Sequence, residues 1–235
     1  MKMEAAGRSL TVFPSDSGDA PLVVVNTFGD EGGKVYDAVK AASGMNFSFL
    51  AVSGLEWNRD MSPWDNPPVF KGEPPFRGGA DSYLKDLVDV MIPAAVDGTG
   101  IKPSYKVLAG YSLAGLFAIY SMYRTDVFSR IASASGSLWF PGITEFVRDN
   151  EPLRLPERLY LSLGDRESRT RDPVMSKVGE NTSMIFEEFG KKGVETVYET
   201  NPGNHFSDPE GRMAKAIVWS LRRCICSASS SPAPA

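Results

Sequence analysis

The amino-acid sequence predicts an α/β fold with a mostly parallel central sheet and helices on both of its faces. Short apolar runs rich in β-branched residues alternate with amphipathic segments along most of the chain, and this alternation is typical of parallel sheets. The chain has 235 residues, is 42% hydrophobic and contains no internal repeat, which suits one domain with one core. We expect this domain to span residues 1–226, and the low-complexity segment 227–235 to be disordered.

Each predicted element has a local reason. Three consecutive valines at 23–25 indicate the first buried strand. An apolar stripe at helical spacing, from Tyr83 to Ile92, indicates a long helix. Residues 58–79 are rich in Pro, Trp and Gly, and they predict a loop that is too long for a simple connector. The predicted strands are 21–28, 47–52, 105–109, 131–135, 158–163 and 194–199, and the predicted helices are 30–42, 80–96, 113–123, 142–149, 175–191 and 209–223.

Charge and cysteine content argue against several functions. The net charge is −4 and the pI is near 5.2, so we expect neither a nucleic-acid partner nor a membrane partner. No apolar run approaches the roughly 18 residues that span a bilayer, and the N-terminal residues lack the apolar segment of a secretory signal. Cys224 and Cys226 are separated by one residue, which is awkward for a disulfide and too few ligands for zinc. We expect a cytoplasmic protein, and the oligomeric state stays open.

Ser112 is the first candidate catalytic residue. It follows a predicted strand and precedes a predicted helix, in the sequence GYSLAG at 110–115. Small residues at Gly110 and Ala114 allow the chain to turn sharply there, which is the context of a nucleophile elbow. The usual pattern ends in glycine, and here Ala114 takes that place with Gly115 next. The alternative interpretation is that Ser112 is only the N-cap of the helix.

His205 is the only histidine in the chain. It lies between the last predicted strand and the last predicted helix, where a serine hydrolase of this chain order needs its base. An imidazole ordinarily titrates near ~6.5, which suits a general base at neutral pH. Because no second histidine exists, zinc hydrolases with paired histidines are excluded. The alternative is an exposed loop histidine without a role.

A carboxylate is needed to orient the histidine, and it should follow the strand at 158–163. Three acidic residues lie in that loop, namely Asp165, Glu167 and Asp172. Each of them could instead form surface ion pairs with the neighbouring arginines. The residues alone leave the choice among the three open.

With these residues in place, the sequence resembles the esterase branch of the α/β-hydrolase superfamily. That branch includes enterochelin (ferric-siderophore) esterases, feruloyl and acetyl-xylan esterases, S-formylglutathione hydrolases and mycolyltransferases. The resemblance runs from about Leu22 to Arg222, and its main motifs are GYSLAG at 110–115, SLGDRE at 162–167 and GNHF at 203–206. It implies an α/β-hydrolase fold. No insertion between the predicted strands is long enough to indicate a large cap domain.

The resemblance also implies roles for particular residues. Members often place the acid three residues after a glycine, which favours Glu167, with Asp165 second, although some siderophore esterases work with a Ser–His dyad. The implied oxyanion donors are the backbone N–H groups of Leu113 and Phe28, with Thr27 as the alternative to Phe28. No metal or organic cofactor is implied.

Candidate substrate-binding residues lie next to the serine and in the long loop. Tyr111 precedes Ser112, and Trp64 is the main candidate in the loop. Trp57, Arg59 and Asp60 could line the same cleft, or the whole loop could be a rigid structural element.

The sequence therefore predicts a serine esterase that acts on a small-molecule ester through an acyl-enzyme. An acyltransferase or a thioesterase with the same triad is the nearest alternative. A serine peptidase is less favoured at this chain length. A binding module that has lost its chemistry is the alternative from another class. The natural ester stays open.

Overall fold

The computed structural model describes residues 1–17, 19–69 and 72–222. The strands among these residues are β1 Lys2–Ala5, β2 Arg8–Phe13, β3 Leu22–Asn26, β4 Ser48–Ser53, β5 Asp65–Asn66, β6 Phe76–Arg77, β7 Lys106–Tyr111, β8 Arg130–Ala134, β9 Arg158–Gly164 and β10 Glu195–Asn201. Strands β5 and β6 form a separate ribbon, and the others form an eight-stranded sheet in the order β1-β2-β4-β3-β7-β8-β9-β10. Six neighbouring strands, from β4 to β10 in that order, pair in parallel.

Helices cover both faces of the sheet. The α-helices are α1 Gly32–Ala42, α2 Trp57–Asp60, α3 Ala80–Asp86, α4 Ile92–Thr99, α5 Leu113–Ser121, α6 Ile143–Asp149, α7 Val178–Lys191 and α8 Pro209–Leu221. Helices α1 and α8 pack on one face, while α3 to α7 pack on the other. Successive residues of β3 alternate between the two apolar cores, so the strand is buried on both sides. The predicted α/β fold with a mostly parallel sheet is confirmed.

Three regions differ from the sequence prediction. The N-terminal hairpin of β1 and β2 was not predicted, and it adds two antiparallel strands at one edge of the sheet. The predicted loop at 58–79 contains the end of α2 and the ribbon of β5 and β6. The predicted helix at 80–96 is divided by a π-helical turn at Leu87–Met91 and continues to Thr99.

Other predictions fall partly outside the described residues. The segment 227–235 and both cysteines lie beyond residue 222, so the predicted disordered tail stays a prediction, as do the single domain and the cytoplasmic location. Within the part of the chain that the structure describes, no helix is both long and apolar enough to cross a membrane.

Candidate active site

Ser112 lies at the sharp turn between β7 and α5. Its backbone has φ 58° and ψ −125°, and positive φ is uncommon for a residue other than glycine. A Cβ at Gly110 would lie 2.1 Å from the carbonyl oxygen of Ala114, and one at Gly115 would lie 2.7 Å from Ser133 Oγ. Both positions therefore require glycine, and this allows α5 to begin directly after the serine and to pack against the strand ends.

Ser112, His205 and Glu167 form a continuous line of hydrogen bonds. The distance from Ser112 Oγ to His205 Nε2 is 3.0 Å, and the distance from His205 Nδ1 to Glu167 Oε2 is 2.8 Å. With the ring proton on Nδ1, the imidazole donates to the carboxylate and accepts from the serine hydroxyl. Tyr111 donates its hydroxyl to the carbonyl oxygen of His205 at 2.6 Å, which fixes the backbone that holds the imidazole.

The three carboxylates that follow β9 have different surroundings. Glu167 is 5% exposed and contacts the imidazole. Asp165 is half exposed and accepts from the backbone N–H of Gly203 at 2.9 Å. Asp172 accepts from the backbone N–H groups of residues 174 and 175. The geometry thus brings Glu167 to the serine–histidine pair and gives the other two acids local structural contacts.

Glu167 uses its two oxygens for different contacts. While Oε2 faces the imidazole, Oε1 accepts from the Gly164 N–H at 2.6 Å and from Ser135 Oγ at 2.8 Å. Burial alone would raise the pKa of the Glu167 carboxyl, but hydrogen bonds from His205 and from the Gly164 N–H lower that pKa below its ordinary value of 4.5. The carboxylate is therefore ionised at neutral pH.

Arg212 of α8 also contacts the Glu167 carboxylate. Its Nη1 donates to Glu167 Oε1 at 2.8 Å and to Ser135 Oγ at 2.9 Å. Its Nη2 donates to the carbonyl oxygens of Pro202 at 3.0 Å and Asn204 at 2.9 Å. The Arg212 side chain is only 2% exposed, and the carboxylate of the buried Glu167 compensates its charge.

The predicted oxyanion donors have unequal access. Leu113 is the first residue of α5, so its N–H has no acceptor within the helix. The Phe28 N–H donates to Glu31 Oε1 at 2.7 Å, and the next N–H donates to Glu31 Oε2 at 2.8 Å. The alternative donor, Thr27, uses its N–H in a bond to the carbonyl of Val52 at 2.9 Å. Of these two candidates for the second donor, Phe28 has its N–H bonded to a side chain, that of Glu31, and Thr27 has its N–H bonded to a backbone carbonyl.

A cleft of about 460 Å³ opens beside Ser112, within the usual size range of small-molecule sites. Phe28 and Phe206 lie at this cleft with 73% and 84% of their surface exposed. Trp57 packs edge-on against Phe28, with ring centroids 5.5 Å apart. The lining residues are Val25, Asn26, Thr27, Phe28, Glu31, Val35, Trp57, Tyr111, Ser112, His205, Phe206, Pro209, Glu210 and Met213. Tyr111, a predicted substrate-binding residue, is among the residues that line this cleft.

Trp64 does not line this cleft, so its predicted substrate contact needs correction. Its Nε1 donates to the carbonyl of Pro141 at 3.0 Å, and its ring packs against Tyr120, Phe140 and Phe146. The indole anchors the long loop to helices α5 and α6, on the face of the sheet that is covered by α3 to α7.

Arg59 and Asp60 also have structural contacts. Asp60 is 2% exposed and accepts from Arg8 at 2.6 Å, while Arg59 Nη1 donates to Glu56 at 3.2 Å. Of the loop residues proposed from sequence, Trp57 is the one that lines the cleft.

The chain matches the protein family described as "Putative esterase" over residues 40–205. This chain belongs to that family. Membership makes it a carboxylic ester hydrolase, and the matched segment contains Ser112, Glu167 and His205. The uncharacterized protein YbbA of Bacillus subtilis is 23% identical to this esterase over 188 residues, which cover 77% of this chain and 75% of YbbA.

Solved structures with low sequence identity share the fold of this esterase. An IroE-like serine hydrolase from Shewanella oneidensis has a TM-score of 0.73 at 18% identity, with 93% of this chain and 78% of that chain covered. The BES protein from Bacillus cereus has a TM-score of 0.71 at 18% identity, with 95% of each chain covered. The siderophore hydrolase EstA from Aspergillus nidulans has a TM-score of 0.68 at 18% identity, with 94% and 93% covered. The α/β-hydrolase fold is thereby confirmed.

Two residues of the site were not predicted from the sequence of this esterase. Arg212 lies in an amphipathic helix, where an arginine is ordinarily exposed. Glu31 lies just before α1 and resembles an ordinary acidic residue near a helix N-terminus. No group of three or more His, Cys, Asp or Glu side chains able to hold a metal occurs among the described residues.

Proposed function

We propose that this esterase cleaves its substrates through an acyl-enzyme on Ser112, with His205 as general base and Glu167 as the triad acid. The observation with the most weight is the pair of hydrogen bonds at 3.0 Å and 2.8 Å that joins the three side chains. The strained backbone of Ser112 at the start of α5 supports the same assignment, because nucleophile elbows have this geometry.

Acylation begins when Ser112 Oγ attacks the ester carbonyl carbon. His205 Nε2 takes the hydroxyl proton as the new C–O bond forms, and the carbonyl oxygen becomes an oxyanion. Glu167 is ionised and stabilises the imidazolium through Nδ1. The proton then passes from Nε2 to the leaving alcohol as the ester bond breaks, and the acyl group stays on Ser112.

Deacylation repeats these steps with water. His205 removes a proton from the water as it attacks the acyl carbon, and then returns that proton to Ser112 Oγ. The carboxylic acid leaves and the free serine is restored.

The oxyanion rests on the backbone N–H groups of Leu113 and Phe28, and a donor of this kind contributes roughly 3 kcal/mol to barrier lowering. In the free enzyme, Glu31 accepts from the Phe28 N–H at 2.7 Å. Full stabilisation of the oxyanion therefore requires the Glu31 side chain to move away from that N–H during turnover.

The cleft favours an apolar acyl or aryl group. Phe28, Trp57, Phe206 and Met213 provide apolar surface beside Ser112. Structures of siderophore hydrolases from Aspergillus nidulans are among the similar folds. A substrate panel should therefore contain siderophore esters as well as aryl esters, acetylated sugars and thioesters.

The proposal is tested by hydrolysis of p-nitrophenyl acetate and butyrate. We expect Ser112→Ala and His205→Ala each to lower kcat by about 10³-fold or more. Ser121→Ala is the matched control, because Ser121 is buried in the same helix and its hydroxyl donates to the Ala118 carbonyl. That control should retain the turnover of the wild type.

A fluorophosphonate probe gives a second readout. Intact-mass analysis should find one phosphonyl adduct on the wild type and on Ser121→Ala, and none on Ser112→Ala. A Ser112→Ala variant that keeps half of the wild-type turnover would refute the assignment of the nucleophile.

A further inference from the structure

Arg212 connects the acid of the triad to the loop that holds the histidine. One nitrogen of its guanidinium donates to Glu167, and the other donates to the carbonyl oxygens of Pro202 and Asn204. Asn204 immediately precedes His205 in the chain. A single side chain therefore positions both Glu167 and the loop that carries His205, and these two have to meet in the triad.

The surrounding backbone leaves space for this arginine. A Cβ at Gly164 would lie 2.8 Å from Arg212 Nη2 and 2.4 Å from the carbonyl oxygen of Gly203. Asp208 caps α8 and accepts from the Gly211 N–H at 3.1 Å, and this sets the helix so that Arg212 lies in its first turn. The network thus depends on the absence of a side chain at Gly164, at the end of β9, and on the position at which α8 begins.

We propose that Arg212 is a positioning residue for the triad, which holds Glu167 and the 202–204 segment together and sets how easily the Glu167–His205 pair takes up a proton. This inference rests on the proposed Ser112–His205–Glu167 mechanism and adds a fourth residue to it. Arg212 acts through Glu167 and the loop.

The charge of Arg212 has a defined effect. A guanidinium 2.8 Å from Glu167 offsets the negative charge of the carboxylate that faces the imidazole. Removing that cation leaves the anion uncompensated, so the Glu167–His205 pair takes up its proton at higher pH. Since a protonated imidazole cannot act as the base, the acid limb of the kcat/KM profile should move in the same direction.

Other titratable groups also face the pair. Tyr111 from β7 and Tyr198 from β10 are neutral at the relevant pH, because burial raises the pKa of both phenols. Glu31 and Glu210 line the open cleft together with His205. All of these groups are retained in an Arg212 variant, so their effect on the protonation of the Glu167–His205 pair is the same before and after the change.

The test uses the fact that the chain has a single histidine. In the full chain labelled with ¹⁵N and purified without a histidine tag, every imidazole NMR signal reports His205. We expect Arg212→Met to raise the titration midpoint of the imidazole by about one pH unit. The same variant should lower kcat on the order of 100-fold, because the triad loses its alignment.

Arg212→Lys separates charge from geometry. The ammonium keeps the positive charge but cannot reproduce the fork of hydrogen bonds to Glu167 and the two carbonyl groups. We therefore expect an unchanged midpoint together with a lowered kcat. A Lys variant with the kcat of the wild type would overturn the positioning role, even where the Met variant does not fold.

Arg158→Met is the matched control. Arg158 is 3% exposed, pairs with Glu195 and donates to the carbonyl oxygens of Trp219 and Arg222. It is thus a buried arginine that is paired with a glutamate, as Arg212 is, but it lies at the opposite end of β9 from Gly164. Loss of Arg158 should lower stability and leave the midpoint in place.

The outcomes distinguish this inference from the proposed function. An Arg212→Met midpoint equal to that of Arg158→Met would overturn the charge effect of Arg212, whatever Ser112→Ala does. Esterase activity that survives in Ser112→Ala would overturn the proposed function instead, while the imidazole titration still reports on the contact between Arg212, Glu167 and His205.

Discussion

The two sides of Ser112 differ in how strongly their side chains are held. On the acid side, Glu167 is 5% exposed and Arg212 is 2% exposed, and both have several hydrogen-bond partners. On the cleft side, Phe28 is 73% exposed and Phe206 is 84% exposed. The buried side can hold reacting groups at fixed distances, whereas the open side can adapt to a substrate.

This difference predicts two kinds of mutational effect. A change on the acid side disturbs groups that are proposed to act in the transition state, and it should lower kcat. A change on the cleft side removes contacts with the bound ester, and it should act mainly on KM. An acid-side variant that changes mainly KM, or a cleft-side variant that mainly lowers kcat, would contradict this difference between the two sides.

The largest effect is expected for Glu167→Gln. The amide cannot stabilise the imidazolium and favours the wrong ring tautomer, so kcat for p-nitrophenyl butyrate should fall by about 10³- to 10⁴-fold. Asp172→Asn is the control, because this carboxylate follows the same strand and accepts from the nearby backbone N–H groups of residues 174 and 175. A Glu167→Gln variant with a loss below tenfold would indicate a Ser–His dyad.

The position of the acid shows what the sequence could and could not reveal. Loop residues after β9 were predictable, because strand–helix alternation locates the end of that strand. Only the resemblance favoured Glu167 over Asp165. The structure distinguishes them physically, since Glu167 turns inward to Arg212 and Ser135 while Asp165 turns to the Gly203 N–H.

Periodicity succeeded for buried elements and failed where burial was partial. The apolar runs of the parallel strands predicted most of the sheet. Strand β1 is short and its side chains alternate between exposed and half-buried, so its hairpin with β2 was missed. Trp64 was misplaced because composition cannot distinguish an aromatic residue that anchors a loop from one that contacts a substrate.

The second prediction concerns the turn beneath Ser112, the proposed nucleophile. In Gly110→Ala the new methyl group would lie 2.1 Å from the carbonyl oxygen of Ala114, so the start of α5 must shift. We expect the free energy of unfolding to fall by about 3 kcal/mol and esterase turnover to fall with it. Chemical denaturation with parallel activity measurements tests both.

Gly33→Ala is the control for that substitution. Gly33 lies in α1, and a Cβ there would meet no atom within 4 Å. This variant should be as stable as the wild type or more stable, by up to about 1 kcal/mol. A Gly110→Ala variant that matched it would show that the turn tolerates a side chain.

The third prediction concerns the open side. Phe206→Ala removes an exposed ring that contacts the His205 ring edge-on at 5.3 Å. We expect KM for aryl and butyryl esters to rise by up to about tenfold, with kcat and stability nearly unchanged. Leu153→Ala, at an exposed leucine outside the cleft lining, should change neither constant. A fall in kcat without a rise in KM would place Phe206 with the groups of the acid side.

The smallest effect, and the one that best probes the boundary between the two sides, is expected for Glu31→Ala. Glu31 belongs to the open cleft, yet its carboxylate accepts from the Phe28 N–H, which is the proposed second oxyanion donor. Freeing this donor should raise kcat by up to about tenfold, equivalent to about 1.4 kcal/mol of barrier. Asp37→Ala removes the same charge from an exposed position of α1 and controls for the change in net charge.

The direction of the Glu31→Ala effect decides between two physical roles. If the carboxylate competes with the oxyanion, its removal raises kcat, and the gain is largest for substrates that depend most on the oxyanion donors. If the carboxylate instead shapes the turn at residues 28–29, its removal lowers kcat, because the Phe28 N–H loses its orientation. A lower kcat would therefore move Glu31 to the rigid side of the comparison, and the open side would then consist of the exposed aromatic residues.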